Sequence, residues 1–352
     1  MPRFLALSPA QRARIARLDA AWEAMTTDPG RATPKILVRV PLPGLPSPER
    51  QCADPDLMLD CELAAVQSHL ELEDDNVPTV RVQFGTAQVA HAFGCPLECP
   101  TGSGPAAKSP AVTSAAEAMA LPIPALDAGL YGKVAEFHRR WLERLPEGVR
   151  IQHPDIQGPF NTAHLVRGND LLTDIYDHPE AVESLLDKVT DYMIRLVPEL
   201  NRQIGSSGRF FDDWGCRWQG RARISNCSMH LISPQTYQRF VLARDLRLMS
   251  AIGGGRIHYC GTHRKVVDWF LANPDVHGLD VDPIHHDFWE LAPRMPARMM
   301  LATTGTASES PFVRRLLSGD WPRKRNLVVL AYAPSLEAGR EVLAALRESI
   351  PR

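Results

Sequence analysis

The sequence predicts an α/β fold in which one parallel sheet closes into an eight-stranded (β/α)8 TIM barrel. After about residue 130, short apolar runs alternate with longer segments of helical period, which is typical of repeated β/α units. Such units form either a barrel or an open doubly wound sheet. No predicted strand is followed by G-x-G-x-x-G or G-x-x-x-x-G-K-[ST], which favours the barrel over a nucleotide-binding open sheet. The 352 residues suffice for one barrel over 75–352 and an N-terminal helical and loop-rich extension over 1–74.

The extension begins with a predicted helix. Ser8 and Pro9 suit its N-cap and first turn, and its pattern continues to about Met25, before the breaking residues 28–30. From there to about residue 130 the chain is rich in Pro and Gly, so we predict loops, interrupted by a strand over 77–84.

The barrel segment contains further predicted strands and helices. Helices are predicted to begin at Pro179, at Ser233 and at Ser335, each with apolar residues three and four positions apart, so that one face can pack on a sheet. The predicted strands span residues 149–156, 208–211, 255–259, 276–281, 298–303 and 326–332.

Composition excludes several classes of protein. The chain has 39 Lys and Arg against 41 Asp and Glu, a net charge of −2, so it lacks the basic surface of a nucleic-acid binder. No apolar stretch reaches the roughly 20 residues that span a bilayer, and the N-terminus lacks the pattern of a secretory signal. Seven cysteines, an odd number, favour a reducing compartment. We therefore expect a cytoplasmic protein.

The most specific local pattern is His258 and Cys260 at the end of a predicted strand. Residues two apart on a strand face the same way, and active sites of barrels lie at the carboxyl ends of their strands. An imidazole and a thiolate are both zinc ligands. The pattern therefore predicts half of a zinc site, with a hydrogen-bonded His beside an inert Cys as the alternative.

Acidic residues follow other predicted strands. Each alone could cap the next helix, but together they would crowd like charges at one end of the barrel, which a metal or a substrate would have to offset. The acidic residues concerned are Asp155, Asp212, Asp213, Asp280 and Asp282, and the polar residues Gln157 and His285 lie beside them.

An aromatic and basic cluster follows Asp213. Its residues could cover a planar anionic ligand by stacking and charge-assisted hydrogen bonds, or could form a surface loop. The cluster consists of Trp214, Arg217, Trp218, Arg221 and Arg223.

The order of several motifs resembles the uroporphyrinogen decarboxylase-like superfamily. The motifs are QGPF at 157–160, the helix-rich run HLVRGNDLLTDIYDHPEAVESLLDKVTDYM, then FFDDWG, LISPQTYQRF and IHYCG. The resemblance covers about residues 75–350 and implies a (β/α)8 barrel. The superfamily also contains methyltransferases that pass methyl groups between corrinoid proteins and thiols.

The resemblance is closer to the zinc-dependent methyltransferases than to the decarboxylases. The decarboxylases carry MRQAGR and a catalytic Asp at an early strand, whereas this chain has RVQFGTAQ there. The methyltransferases hold zinc through His-x-Cys, matched by His258 and Cys260, and through a later Cys. No cysteine follows Cys260, and Tyr332 occupies roughly the position of the missing cysteine. Asp282 and His285 are the nearest candidates for a substitute ligand, and we expect Asp282 to be the one that binds.

The resemblance implies a methyltransferase that binds zinc through His258 and Cys260 and acts with a corrinoid protein, and we expect Asp282 as the substitute third ligand. Asp213 and His285 are then expected to provide acid-base catalysis. A metal-independent decarboxylase or lyase is the alternative, and a non-catalytic protein that binds a tetrapyrrole or a small acid is a third hypothesis. Barrels of this kind also form homodimers. The expected substrate-binding residues are Asp155, Gln157, Trp214 and Tyr332.

Overall fold

The computed structural model describes residues 6–351. Its strands are β1 Lys35–Arg39, β2 Thr79–Arg81, β3 Leu97–Glu98, β4 Ala106–Ala107, β5 Arg150–Gln152, β6 Phe210–Asp213, β7 Cys216–Gln219, β8 Ala222–Ser225, β9 Gly255–Tyr259, β10 Val276–Val281, β11 Met300–Thr303, β12 Thr306–Ala307 and β13 Leu327–Tyr332. Its helices are α1 Pro9–Thr27, α2 Pro48–Ala53, α3 Pro55–Leu72, α4 Gln88–Ala92, α5 Ala115–Ala120, α6 Tyr131–Leu142, α7 Pro159–Arg167, α8 Asp170–Asp177, α9 Pro179–Gln203, α10 Pro234–Thr236, α11 Leu242–Ile252, α12 Arg264–Ala272, α13 Phe288–Leu291, α14 Pro311–Leu317 and α15 Leu336–Ser349.

Eight parallel strands form the barrel. Six of them pair in the order β1, β13, β11, β10, β9, β8, and β2 pairs with β5. Beyond the end of β5, Gln157 forms a parallel bridge to Ser225 of β8, which joins the two groups. The strands alternate with helices along the chain, which confirms the predicted (β/α)8 barrel.

Strand β1 lies within the segment that the sequence assigned to the extension. It pairs in parallel with β13 along its whole length, from Lys35 opposite Val328 to Arg39 opposite Tyr332. The barrel thus takes one strand from residues before 75. The sequence pattern missed β1 because proline-rich loops flank it on its carboxyl side.

The segment predicted as a strand over 208–211 is not part of the barrel wall. It forms β6 of an antiparallel hairpin with β7, closed between Asp213 and Cys216. The turn residues Trp214 and Gly215 have φ values of 56° and 73°, the left-handed pair that a two-residue type I′ hairpin turn requires.

The hairpin and α1 fill the inside of the barrel at the amino-terminal ends of the strands. Trp218 of the hairpin and Trp22 of α1 are buried with inward-facing residues of β1, β11 and β13. Gly278 permits this packing, because a Cβ there would overlap the Trp218 ring. A second, larger apolar core lies between the outward faces of the strands and the surrounding helices. The far, carboxyl-terminal ends of the strands remain free to build a site.

The helices follow the expected signals. Ser8 and Gln11 form a capping box at the start of α1. Helix α9 buries one face, which includes Val182, Leu185 and Val189. Between residues 6 and 351, none of the helices combines the length and the apolar character that crossing a bilayer requires. The seven cysteines are free thiols.

Candidate metal centre

Three potential metal ligands meet at the carboxyl ends of the neighbouring strands β8 and β9. One ligand atom each from Cys227, His258 and Cys260 lies within 4.8 Å of the other two. Ser225 pairs with His258 across the two strands, and the Asn226 N–H donates to the His258 carbonyl at 2.8 Å. Cys227 stands two residues beyond Ser225, just as Cys260 stands two beyond His258, so the parallel register brings both thiols to the same level.

His258 is held by a carboxylate from the next strand. Asp280 of β10 pairs with His258 in the sheet, and its Oδ2 lies 2.5 Å from His258 Nδ1. Burial opposes a charge on the imidazole, yet the Asp280 carboxylate raises the pKa of His258 to about 9. Because Nδ1 is engaged, Nε2 is the nitrogen left for a ligand. A carboxylate behind a histidine in this way fixes the ring and is typical of metal-binding histidines.

A chain of buried charges extends from Asp280. Arg256 Nη1 donates to Asp280 Oδ1 at 2.7 Å, and its Nη2 donates to Asp213. Although burial would raise it, the pKa of Asp280 is lowered to about 2 by Arg256 and His258. Asp280 therefore stays ionised and keeps its hold on His258 at neutral pH.

The two thiols of the cluster affect one another. Contact with Cys227 lowers the pKa of Cys260 to about 7, whereas contact with Cys260, together with burial, raises the pKa of Cys227 to about 12. A pair in contact loses its first proton easily and its second with difficulty, because two thiolates repel. A divalent cation would offset that repulsion. Cys260 is open to solvent, so the cluster can be reached from outside.

The sequence matches the family model described as Uroporphyrinogen decarboxylase (URO-D) over residues 47–295. The chain belongs to the URO-D family. A solved methyltransferase from Methanosarcina mazei has the same fold as this family member, with a TM-score of 0.70 and 20% identity over 94% of this chain and 98% of that one. The homocysteine methyltransferase MmuM from Escherichia coli was also matched, in its apo and metallated forms. The match covers 92% of this chain and 99% of MmuM at 11% identity, and its TM-scores of 0.36 and 0.37 are too low to indicate a shared fold. A search among curated proteins gives no significant match.

In this URO-D family member the predicted third ligand, Asp282, lies outside the cluster. Its Oδ1 accepts the Ile284 N–H at 2.8 Å and its carbonyl accepts the His285 N–H at 3.0 Å, so it caps the turn after β10. Cys227 occupies the third place instead. Sequence reasoning missed it because Cys227 precedes His258 by a whole β/α unit, whereas the resemblance directed attention to residues after Cys260.

The predicted acid-base residues, Asp213 and His285, are not members of the cluster and lie in different places. Asp213 is buried against Arg256 and reaches His258 only through Arg256 and Asp280. His285 is exposed on the turn after β10. The crowding of carboxylates that the sequence suggested is offset by arginines, since Arg256 lies between Asp213 and Asp280 and Arg223 pairs with Asp155.

The predicted substrate-binding residues occupy different depths of the barrel. Asp155 forms an ion pair with Arg223 at 2.5 Å and also accepts a hydrogen bond from Gln157. Trp214 lies at the hairpin tip, with Arg223 and two further arginines around its ring. Tyr332 ends β13 and is 45% exposed. None of the four shares a hydrogen bond with the cluster in the described part of the chain.

The donor set fits zinc. Two thiolates and one imidazole are ligands that Zn²⁺ prefers, and three protein ligands leave one tetrahedral position for substrate, as catalytic zinc sites require. The carboxylate behind His258 supplies the outer support that such sites need.

Proposed function

We propose that this URO-D family member is a zinc-dependent methyltransferase whose metal is held by Cys227, His258 and Cys260. The observation that carries the proposal is the convergence of these three side chains, with Asp280 behind the imidazole, at the carboxyl end of the barrel. When bound, zinc supplies Lewis acidity, which favours the deprotonated form of a thiol acceptor at neutral pH.

The protein's own residues orient the site. Asp280 holds the His258 ring through Nδ1, and Arg256 holds Asp280. We assign Asp213 to this support, as the second anchor of Arg256, rather than to proton transfer. His285 remains the candidate base, because it is exposed on the turn at the carboxyl end of β10 and its backbone is fixed by Asp282.

The proposed reaction transfers a methyl group from a donor to a small thiol. The thiol first loses its proton to the base or to solvent. Its sulfur lone pair then forms the new sulfur–carbon bond, while the bond between the methyl carbon and the donor breaks and its electron pair stays with the donor. We propose a protein-bound corrinoid as donor. The exposed Cys260 and Ile284, the latter 83% exposed, are compatible with the approach of a large partner. Small-molecule contacts are proposed for Asp155, Gln157 and Tyr332.

Metal analysis tests the proposal. Protein purified without added metal is expected to contain about one equivalent of zinc. The substitutions Cys227→Ala, His258→Ala and Cys260→Ala should each reduce it, whereas Cys99→Ala, at an exposed cysteine outside the cluster, should not. Methyl transfer to a thiol should fall with the zinc content. Metal-free protein with full methyltransferase activity would overturn the proposal.

Decarboxylation is the second candidate, since the matching family model carries that description. Several arginines also line the barrel interior, where substrate carboxylates could be held. In this reaction the bond to the carboxyl carbon breaks, carbon dioxide leaves, and the electron pair left on carbon takes up a proton from an acid. Release of carbon dioxide from a carboxylated substrate that persists after chelation would favour this function over methyl transfer.

A further inference from the structure

A buried carboxyl group lies behind Cys227. Asp245 of α11 is 4% exposed, and it forms no ion pair with any residue in the part of the chain that the structure describes. Its Oδ2 accepts two hydrogen bonds of 2.7 Å, one from the Tyr237 hydroxyl and one from the side-chain amide of Asn226. Asn226 directly precedes Cys227, so it links this carboxyl group to a member of the metal cluster. No step of the proposed methyl transfer uses Asp245.

The contact between Asp245 and Asn226 has the form of a carboxylic acid paired with a primary amide. The amide N–H of Asn226 binds Asp245 Oδ2, whereas Asn226 Oδ1 and Asp245 Oδ1 are buried and have no hydrogen-bond partner among residues 6–351. Two acceptors cannot satisfy each other, but a protonated carboxyl group can donate its O–H to the amide oxygen. Burial raises the pKa of Asp245 to about 7, which favours the protonated form. A proton on Asp245 Oδ1 therefore removes the cost of leaving both oxygens unpaired.

The backbone of the preceding segment brings Tyr237 to the same carboxyl group. Residues Tyr237–Val241 form a π-helical turn just before α11, and such turns are frequent at functional sites. In a regular α-helix, residues eight positions apart point about 80° away from each other, and the extra residue of a π turn reduces this angle to about 20°. The turn therefore places Tyr237 and Asp245 on one face. The Tyr237 ring stacks on Trp269 at a centroid distance of 5.2 Å, so its hydroxyl holds Asp245 in a fixed orientation.

Asn226 fixes the chain at the end of β8, where Cys227 follows. Its backbone N–H donates to the His258 carbonyl at 2.8 Å, which joins it to the neighbouring strand of the cluster. Its side chain lies against Gly158, where a Cβ would overlap Asn226 Oδ1. The amide is thus held between Gly158 on one side and Asp245 on the other. Because backbone and side chain are both fixed, the direction in which Cys227 leaves the strand is fixed as well.

The other flank of Cys227 is held independently of Asp245. The Ser228 N–H donates to Asn161 Oδ1 at 2.8 Å, and Asn161 Nδ2 donates to Gln157 Oε1 at 2.8 Å. Loss of the Asp245 acceptor should therefore loosen the chain before Cys227, while the short 3₁₀ helix that begins at Cys227 stays in place. The expected effect is a displaced thiol in a folded protein.

We propose that Asp245 is a positioning residue, which holds the Cys227 thiol at the level of Cys260 through its paired contact with the Asn226 amide. The inference rests on the proposed function, because Cys227 is a ligand of the proposed zinc site. Asp245 is not a member of the cluster and acts through Asn226. The pair needs donor and acceptor atoms at this place and needs no charge. An amide should therefore replace the carboxyl group, and an apolar side chain of similar size should not.

Titration of the metal-free protein with Co²⁺ tests the inference, because thiolate ligands give bound cobalt a charge-transfer absorption that grows with their number. The wild type should show two thiolates per cobalt, and Cys227→Ala should show one. Asp245→Leu should approach the spectrum of Cys227→Ala and bind cobalt about tenfold to a hundredfold more weakly. Asp245→Asn should keep the wild-type spectrum. Tyr237→Phe is the matched control, because it removes a hydrogen bond from the same Oδ2 but leaves the Asn226 contact, so its spectrum should also be unchanged.

Gly158→Ala reaches the same amide from the opposite side and provides a second variant in case Asp245→Leu does not fold. Its Cβ would displace the Asn226 side chain, and the φ of −65° at this position suits alanine, so one thiolate should be lost from a protein that circular dichroism shows to be folded. A spectrum of two thiolates in folded Asp245→Leu or in Gly158→Ala, or an equal loss in Asp245→Asn or Tyr237→Phe, would overturn the inference. A wild-type spectrum without thiolate absorption would overturn the proposed zinc site itself, so the two failures can be told apart.

Discussion

Removal of the Asp280 carboxylate should weaken zinc binding without touching a zinc ligand. Asp280 Oδ2 lies 2.5 Å from His258 Nδ1, and Asp280 is itself fixed by Arg256 at 2.7 Å. The contacts of Asp280 with His258 and with Arg256 therefore fix the orientation of the imidazole and place the imidazole proton on Nδ1. Without them the ring must be ordered when the metal binds, so the affinity falls.

The magnitude follows from the contacts that each substitution leaves. Loss of an outer partner of a ligating histidine costs about tenfold to a hundredfold in metal affinity, or roughly 1.4 to 2.7 kcal/mol. Asp280→Asn keeps an acceptor of the same shape but loses the charge, so we expect a loss near tenfold. Asp280→Ala removes the acceptor as well, so we expect a loss near a hundredfold.

Asp282→Asn is the matched control, because Asp282 belongs to the same strand end but only caps the Ile284 N–H. Zinc affinities should be measured at neutral pH by competition with a chromophoric chelator, and circular dichroism should show that each variant is folded. Unchanged zinc affinity in folded Asp280→Ala, or an equal loss in Asp282→Asn, would refute the account of the site.

Three further predictions concern the stability of the barrel. Burial raises the pKa of Asp245 to about 7, above the value near 3.9 of an unfolded Asp. The free energy of unfolding should therefore fall by on the order of 2 to 3 kcal/mol as the pH rises from 5 to 7. Urea titrations at both pH values should show that Asp245→Asn abolishes this loss. Burial lowers the pKa of His153 to about 4, so the free energy of unfolding should fall by on the order of 2 kcal/mol as the pH falls from 7 to 5. In His153→Gln it should fall less over that range. A pH dependence of stability that stays the same in Asp245→Asn or in His153→Gln would contradict the corresponding prediction. Gly278→Ala should reduce the free energy of unfolding by about 1 to 3 kcal/mol, because its Cβ would overlap Trp218, and a neutral result would mean that the hairpin does not pack there.

The barrel could be predicted from the sequence where apolar residues recur along the outward face of a strand, even when residues such as Arg256 and Asp280 face inward. Strands β9 and β10 were predicted with the bounds that the structure gives, Gly255–Tyr259 and Val276–Val281. Strand β8, Ala222–Ser225, escaped because it has four residues, of which Ala222 and Ile224 are apolar and Arg223 faces inward, too short a pattern to recognise. An ion pair with Asp155 makes that arginine acceptable inside the barrel, and such a tertiary partner leaves no mark on local sequence.

The candidate site was half predictable for a related reason. The spacing of His258 and Cys260 shows that they share a face, but the third ligand depends on which strand lies beside β9. Once β8 is placed, the register makes Cys227 the counterpart of Cys260, a relation that no periodicity within one segment could reveal. The same holds for Asp213, which the sequence placed at the end of a barrel strand and the fold places on a hairpin, because its ladder partner Cys216 lies only three residues away across a tight turn.

Zinc X-ray absorption spectroscopy of the protein as purified tests the central claim most directly. The account predicts two sulfur neighbours at about 2.3 Å and one nitrogen neighbour at about 2.0 to 2.1 Å, with one sulfur lost in Cys227→Ala. A zinc shell of nitrogen and oxygen alone, or a wild-type spectrum with one sulfur that Cys227→Ala leaves unchanged, would contradict it.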